Sequence, residues 1–222
     1  SELIEVATFR SGEDSSSIGN LITDQSGKII RDNIWGTLEE DTHRRDFTIN
    51  ALFYCPFSQK IEDHNDGMKH IHEKTIVSIG DPQKRFAEDP VRSLRAIRFS
   101  NKLNFKINKD IKEAIYDKGH LLSDISNDRL FDEFCKIFLK GMAEKNFNKL
   151  LSFGLNKYLI ETDPEVNEFT YNLMIEAFRN TDKRLANNQS VTPGFLIAAL
   201  LWPQLIEASL QKGEINLRKF FR

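Results

Sequence analysis

The alternation of apolar and polar positions predicts one strand, followed by a loop or a weak hairpin, before residue 37. Residues 3–9 carry apolar side chains on both faces, interrupted by Glu5, which is typical of an interior strand. Residues 11–33 are rich in Ser, Gly and Asp and predict a loop or a weak hairpin. A capping-box pattern at residues 37–40 then predicts a helix that runs to about Asn50.

Strand signals are confined to residues below 80, and helical periodicity follows. Residues 51–54 and 60–62 predict a hairpin, and residues 75–79 predict a second strand that ends at Gly80-Asp81-Pro82. From residue 81 onward we expect helices, one of them beginning at Asp89-Pro90 and running to about residue 102. Further helices are predicted at 108–118, 126–140, 142–153, 164–184 and 195–210. The pattern favours an α+β fold, a small α/β part followed by a helical body.

Composition narrows the choice of partners and compartment. The 31 basic and 33 acidic side chains nearly cancel, so any surface that binds nucleic acid must be local. Two lone cysteines provide no disulfide framework, which suits the reducing cytoplasm. The longest apolar run, residues 195–202, is too short to cross a bilayer. We therefore expect a cytoplasmic protein with no membrane partner.

The densest polar segment is Arg44-Arg45-Asp46-Phe47-Thr48-Ile49-Asn50. On a helix, Asp46 and Asn50 share a face, with Arg45 one step around from Asp46. Such a face offers cations to phosphates and a carboxylate or an amide to a ribose hydroxyl. The alternative is an ordinary solvated helix face, and the segment alone does not decide between them.

A second polar segment spans residues 85–99. Arginines recur every three residues, at Arg92, Arg95 and Arg98. Apolar residues recur one step behind them, at Val91, Leu94 and Ile97. The two stripes lie side by side on a helix, so the apolar one can dock while the cationic one faces a cleft. Asp89 and Arg92 form an acceptor and donor pair that could read a base edge. The alternative is a helix cap at Asp89 and surface ion pairs at the arginines.

Two further features bear on a metal site. A carboxylate at Glu5, on a strand with two apolar faces, is costly unless it is paired, caps a helix or binds a metal. A contact at a hairpin edge is the plain alternative. His64, His70 and His72 lie near Asp63 and Asp66, but the spacing is not that of a structural zinc site.

In their order along the chain, residues 4–10, 31–36, 39–50 and 88–99 resemble the class II nucleotidyltransferases. This family contains bacterial poly(A) polymerases and CCA-adding tRNA nucleotidyltransferases. Residues 128–131 and Glu133 resemble the family's next helix. Residues 31–36, 180–184 and 193–202 resemble the poly(A) polymerase branch.

The resemblance implies a fold and a domain order. Residues 1–79 would be the C-terminal part of a nucleotidyltransferase α/β head domain. Residues 80–140 would be a helical neck that selects the nucleotide and binds RNA, and residues 141–222 a helical body. RNA backbone would be bound by local lysines, for which the candidates are Lys136, Lys140, Lys145 and Lys149. A solvated charged face explains these lysines equally well.

The resemblance also implies an activity, the template-independent addition of AMP from ATP to RNA 3′ ends. Nucleotide binding would fall to Arg44, Arg45, Asp46, Asn50, Glu88, Asp89, Arg92, Arg95 and Arg98. Glu5 would be a catalytic carboxylate and a ligand of two Mg²⁺ ions. The family's Gly-Ser motif and Asp-x-Asp pair do not occur in the chain, so this fragment alone is expected to be inactive. A CCA-adding enzyme and a non-catalytic RNA-binding module are the alternatives.

Overall fold

The computed structural model describes residues 4, 6–10, 22–23, 29–31, 35–160 and 168–212, and the fold is α+β, as predicted. The described strands are β1 Ile22–Thr23, β2 Ile29–Arg31, β3 Leu52–Cys55, β4 Lys60–Asp63, β5 Thr75–Ile76 and β6 Lys106–Ile107. The described helices are α1 Leu38–His43, α2 Gly67–His72, α3 Pro82–Glu88, α4 Val91–Leu103, α5 Lys109–Lys118, α6 Asn127–Phe138, α7 Ala143–Ser152, α8 Asn156–Leu159, α9 Glu168–Ala186 and α10 Pro193–Lys212. Two 3-10 segments, Thr48–Asn50 and Gly119–Asp124, complete the order.

The interior strand predicted over residues 3–9 is wrong for the residues described there. Residues 6–9 lie outside any strand, and Ile4 and Val6 are 85% and 93% exposed. An interior strand needs a neighbour on each side. Within the described part of the chain, the backbone pairing of this segment consists of a bridge between Arg10 and Trp35 and a hydrogen bond from Gly36 N to the Phe9 carbonyl. β1 and β2 pair antiparallel, in agreement with the weak hairpin expected there.

The hairpin of β3 and β4 is confirmed, in a register that runs from Leu52↔Asp63 to Cys55↔Lys60. The short helix α2 that follows was not predicted. Its first backbone N–H groups are bound by Asp63, which accepts from Gly67 N at 2.8 Å and Met68 N at 2.9 Å. A Cβ at Gly67 would stand 2.5 Å from the Thr48 carbonyl oxygen, so only glycine permits this close approach.

Helix α1 is shorter than predicted. The capping box at Thr37 and Glu40 is present, but the helix ends at His43 rather than near Asn50. Phe47 is extended and pairs with Ser78, with hydrogen bonds from Thr48 N to the Val77 carbonyl and from Ile79 N to the Asp46 carbonyl. The Phe47 ring is fully buried. Burial of this ring and the pairing with residues 77–79 outweigh continuation of the helix.

The second predicted strand is present only as β5 and the bridge at Ser78. β5 pairs in parallel with β6, which was not predicted because two residues give no periodicity. The six helices predicted from residue 81 onward correspond to α4–α7, α9 and α10, with boundaries within a few residues, whereas α3 was not predicted as a separate helix. Residues 164–167 of one predicted helix lie outside the described residues.

Helix α4 packs its apolar stripe into the core. Val91, Leu94 and Ile97 are at most 2% exposed, and they belong to one cluster that extends from Phe47 to Leu200. The predicted apolar stripe is therefore confirmed, and the arginines beside it face away from that core. None of the described helices is both long enough and apolar enough to cross a membrane.

Helix α7 receives its N-terminal cap from another helix. Asp182 of α9 accepts hydrogen bonds from Ala143 N at 2.8 Å and Glu144 N at 3.2 Å. Burial raises the pKa of Asp182 above its ordinary value, although these two donors act in the opposite direction. The side chain therefore ties α9 to the start of α7 at a cost in desolvation.

We predict that Asp182→Ala lowers the free energy of unfolding by about 0.5–2 kcal/mol, since two helix N–H groups lose their acceptor. Asp182→Asn keeps an acceptor oxygen and removes the desolvated charge, so it is expected to match or exceed the wild type at pH 7. The raised pKa gives the wild type more stability when protonated, and this gain is lost as the pH rises through that value. Urea unfolding at pH 7 and pH 4 measures both effects; equal losses in the two variants would contradict the capping role.

Candidate nucleotide-binding site

Seven of the nine predicted nucleotide-binding residues line one cavity of about 440 Å³. They are Arg44, Arg45, Asp46, Asn50, Asp89, Arg92 and Arg95, and the ring of Phe99 joins them. The volume lies in the usual range for small-molecule sites. Four arginines outnumber two aspartates in this lining, so the cavity favours an anionic ligand.

Asp46 is the hydrogen-bonding centre of the cavity wall. It is 7% exposed, and its Oδ2 accepts from Arg95 Nε at 2.6 Å. Its Oδ1 accepts from Asn50 Nδ2 at 3.0 Å and from Phe47 N at 2.9 Å. Asp46 and Asn50 thus meet as predicted, although the connecting residues are not one α-helix.

Arg44 and Arg45 are both oriented by Asp41, which is 3% exposed. Arg44 Nε donates to one carboxylate oxygen, and Arg45 Nη2 donates to the other at 2.9 Å. Burial alone would raise the pKa of Asp41, but the hydrogen bonds from Arg45 and Arg44 outweigh it and lower the pKa below its ordinary value. Sequence reasoning did not assign Asp41 a role, although its spacing of three and four from the two arginines was the available signal.

Arg85 is a second residue that sequence reasoning did not assign. Its Nη2 reaches the backbone carbonyl oxygens of Arg44 at 2.8 Å and Arg45 at 3.0 Å, just past the end of α1. Cations are favourable at the C-terminal end of a helix. Arg85 therefore fastens α3 to the segment that carries the cavity arginines.

Asp89 and Arg92 lie in the cavity lining, but each already has protein partners. Asp89 Oδ1 accepts at 3.2 Å from the N–H of Val91, the first residue of α4, although the N-cap position of that helix is Pro90 rather than Asp89 as predicted. Its Oδ2 accepts from Arg129 Nη2 at 2.8 Å. Arg92 Nη1 donates to the Arg85 carbonyl at 3.2 Å and lies 3.8 Å from Glu88 Oε2.

The charge of Arg92 is incompletely compensated. Burial, with a smaller contribution from Arg85, lowers the pKa of the Arg92 guanidinium below its ordinary value. A guanidinium stays protonated in proteins at neutral pH. An anionic group placed in the cavity would therefore offset a positive charge that the protein leaves partly unpaired.

Glu88 and Arg98 lie outside the cavity lining. Glu88 is half exposed and contacts Arg85 and Arg92. The Arg98 guanidinium packs over the Phe99 ring, 4.5 Å from its centroid. Burial lowers the pKa of Arg98, and its Nε has no hydrogen-bond partner within the described part of the chain.

The predicted metal ligand cannot be placed relative to the cavity, and two of the four lysines predicted to bind RNA already have protein partners. Glu5 lies outside the described residues, and the described residues contain no cluster of three or more His, Cys, Asp or Glu side chains suited to a metal. Lys136 is paired with Glu133 at 2.7 Å, and Lys149 donates to Ser100 Oγ at 2.7 Å. Burial lowers the pKa of Lys149, followed by the effect of the nearby Lys112.

Comparison with known proteins places the chain in a family. Residues 1–77 match the family model described as "Poly A polymerase head domain", and residues 104–170 match "Probable RNA and SrmB- binding site of polymerase A". The chain is 39% identical over 215 residues to poly(A) polymerase I of Salmonella typhi, covering 93% of this chain and 46% of that protein. This chain belongs to the poly(A) polymerase family.

CCA-adding enzymes, the other class of enzyme named by the sequence resemblance, are also among the relatives. A CCA-adding enzyme of Pediococcus pentosaceus is 39% identical over 122 residues, which cover 55% of this chain and 31% of that protein. Among solved structures, the Bacillus stearothermophilus CCA-adding enzyme in complex with CTP is similar, with a TM-score of 0.54 and 32% identity. That match covers 72% of this chain and 37% of the other. The chain spans about half the length of the poly(A) polymerases it matches.

We predict that Asp41→Asn lowers the free energy of unfolding at pH 7 by about 1–3 kcal/mol, because a buried acceptor of two charged hydrogen bonds is weakened. The lowered pKa means that the stability from Asp41 is present above its ordinary pKa and is lost as the pH falls through the folded value. The difference from the wild type should therefore be constant from pH 7 to 5 and shrink at pH 3.

Urea unfolding across this pH range provides the measurement. Asp132→Asn, on the exposed face of α6, is the matched control, with an expected change within about 0.5 kcal/mol. A difference between Asp41→Asn and the wild type that stays the same at pH 3 would contradict the assigned cause.

Proposed function

We propose that the protein is a template-independent polynucleotide adenylyltransferase that transfers AMP from ATP to RNA 3′ ends. The observation that carries the proposal is the convergence of residues 44–50 and 89–95 on one arginine-rich cavity. Family membership supports it, as does the match to a poly(A) polymerase over 93% of the chain. The CCA-adding relative matches only 55%.

Each part of the cavity has a proposed task. Arg44 and Arg45, about one third exposed, would bind the triphosphate through charge-assisted hydrogen bonds. Asn50 and the remaining acceptor capacity of Asp46 would bind ribose hydroxyls. Arg95 would keep the Asp46 carboxylate in place, since it already donates to that group at 2.6 Å.

Asp89 and Arg92 would read the base. Asp89 would accept a hydrogen bond from the adenine amino group while Arg92 donates to a ring nitrogen. Glu88 and Arg98 would act indirectly, Glu88 through its contact with Arg92 and Arg98 through the Phe99 ring. In this way, a protein surface would replace the template.

The reaction would be an attack of the RNA 3′-hydroxyl oxygen on the α-phosphorus of ATP, with pyrophosphate as the leaving group. The described residues would bind and orient the nucleotide so that the hydroxyl and the leaving group lie in line. Dependence on two Mg²⁺ ions is proposed from the resemblance at Glu5 alone.

The division of the chain also belongs to this proposal. Residues 1–79 would serve as part of the head, 80–140 as the nucleotide-selecting and RNA-binding neck and 141–222 as the body. RNA contacts would use exposed lysines such as Lys140 and Lys145, which have no ion pair within the described residues. A cytoplasmic location is proposed from the two free cysteines, Cys55 and Cys135.

A CCA-adding enzyme is the second candidate, favoured by the 39% identity over 122 residues to such a relative. It would use the same cavity for CTP and ATP in turn. A non-catalytic RNA-binding module is the third, and it predicts no nucleotide addition.

The full-length protein, incubated with a labelled RNA primer and Mg²⁺, is predicted to produce long ladders with ATP alone. The residue range 1–222 by itself serves as the control and is expected to add nothing. A short fixed addition that requires both CTP and ATP would identify a CCA-adding enzyme instead. If the full-length protein adds no nucleotide but binds the primer, the RNA-binding module is correct.

Asp89→Ala and Arg92→Ala in the full-length protein are each predicted to reduce the preference for ATP. Loss of one base contact should change the ratio of kcat/KM values by about 5- to 150-fold, corresponding to about 1–3 kcal/mol. Arg179→Ala is the matched control, because Arg179 is exposed and paired with Glu144 and Glu176 on the surface. Unchanged selection of ATP over CTP in both Asp89→Ala and Arg92→Ala would refute base reading by this pair.

A further inference from the structure

We propose that α5 and α7 form a binding site for single-stranded RNA, in which Lys112 and Lys149 hold a phosphate and the Tyr116 ring stacks on a base. The inference rests on the proposed action on RNA, and it goes beyond the exposed lysines assigned to that role. It adds a site that contacts bases, made of residues that do not line the nucleotide cavity.

The two helices present matching pairs of side chains. Lys112 and Tyr116 stand four positions apart on α5, so they share a face of that helix. Lys149 of α7 and Phe153, the C-cap residue of the same helix, have the same spacing. The rings of Tyr116 and Phe153 meet with their centroids 5.2 Å apart. Each helix thus brings one cation and one aromatic ring to the place where the rings touch.

The two lysines leave positive charge uncompensated. Lys149 donates to a neutral group, Ser100 Oγ, at 2.7 Å. Burial and, after it, the charge of Lys112 lower the pKa of Lys149. Neither lysine has an ion-pair partner within the described part of the chain. An ammonium has three donors, so Lys149 keeps two for an anion, and a phosphate beside both lysines would offset their repulsion.

The neighbouring carboxylates of α5 have partners of their own. Glu113 pairs with Lys109 at 3.5 Å, and Asp117 accepts from Gln83 Nε2 at 2.9 Å. Because neither carboxylate is paired with Lys112, that ammonium remains available to a phosphate. A lysine binds phosphate as a point charge, without a required approach direction, which suits a flexible RNA backbone.

The Tyr116 ring is held in place and yet open to solvent. It is 63% exposed, and it rests on Phe153, which packs against the main core. A base can stack on such a ring whatever its identity, since every base has a π face. Bases inside a duplex are already stacked on one another, so a ring of this kind selects single-stranded RNA.

The test measures binding of a labelled single-stranded oligoadenylate to the full-length protein by fluorescence anisotropy, without ATP. Tyr116→Ala is expected to weaken binding about 5- to 150-fold, the range for loss of one base stacked on an aromatic side chain. Tyr116→Phe keeps the ring and should bind as the wild type does. Tyr54→Ala is the matched control, because Tyr54 on the β3–β4 hairpin is 62% exposed, and it should keep the wild-type affinity.

The salt dependence of the same binding tests the two lysines. Lys149→Met keeps the buried stem and removes the charge. Combined with Lys112→Ala, it should weaken binding about fivefold or more at low salt and reduce the slope of log affinity against log salt by about 0.7, the value for one phosphate of a single strand. Lys109→Ala is the matched control, since Lys109 is an exposed lysine of the same helix that is paired with Glu113, and it should keep the wild-type slope.

Three results would overturn the inference. Wild-type affinity in Tyr116→Ala would refute base stacking, and a wild-type salt slope in the lysine double variant would refute the phosphate contact. An equal loss of affinity for a blunt RNA duplex in Tyr116→Ala would refute selection of single strands. Tyr116→Leu separates stacking from packing, because it keeps an apolar contact with Phe153 but has no ring. Weakened binding by this variant at the wild-type melting temperature supports stacking, and wild-type binding contradicts it.

The binding measurement needs no nucleotide addition, so failure of the site and failure of the proposed function are distinguishable. Weakened binding in the Tyr116 and lysine variants of a protein that adds no AMP would support the site and refute the adenylyltransferase. Wild-type binding in these variants, in a protein that makes long ladders with ATP, would refute the site and leave the function intact.

Discussion

The contact between Asp46 and Arg95 joins two segments that lie 49 positions apart, and the cavity depends on it. A carboxylate that is 7% exposed needs compensation, and Arg95, Asn50 and the Phe47 N–H provide it together. The neighbouring backbone is also fixed, since Thr48 N and the Asp46 carbonyl pair with residues 77–79. The buried ring of Phe47 thus places the polar segment around it, and the packing of the core determines where the cavity arginines stand.

Helix α4 likewise positions cavity side chains through its own packing in the core. Its apolar stripe is buried, and the arginines one step around the helix reach the cavity wall, where Arg95 donates to Asp46 and Arg92 donates to the Arg85 carbonyl. Residues outside the cavity complete the arrangement, because Asp41 orients Arg44 and Arg45 while Arg85 binds the backbone that carries them. The site is therefore built from charges that are each held by a second group, as a preorganised site requires.

Sequence reasoning anticipated the helical part because Leu94 and Ile97 recur at helical spacing and Asn108 is a strong N-cap. It also brought together seven residues of the cavity, through their resemblance to a family rather than through periodicity. It failed where tertiary contacts overrule local preference. The helix through Phe47 was wrong because burial of that ring required an extended backbone. The partner of Asp89 was missed because Arg129 lies 40 positions away, and no local spacing reveals such a pair.

The two interpretations of Asp89, a helix cap and a base contact, do not exclude each other. The bond to Val91 N uses one lone-pair site of the carboxylate. It also ties the position of the carboxylate to the first turn of α4. A free acidic side chain at the same place would lose rotational entropy each time a base bound. The cap and Arg129 remove that freedom before the nucleotide arrives, so the structural role of Asp89 is what would make it selective.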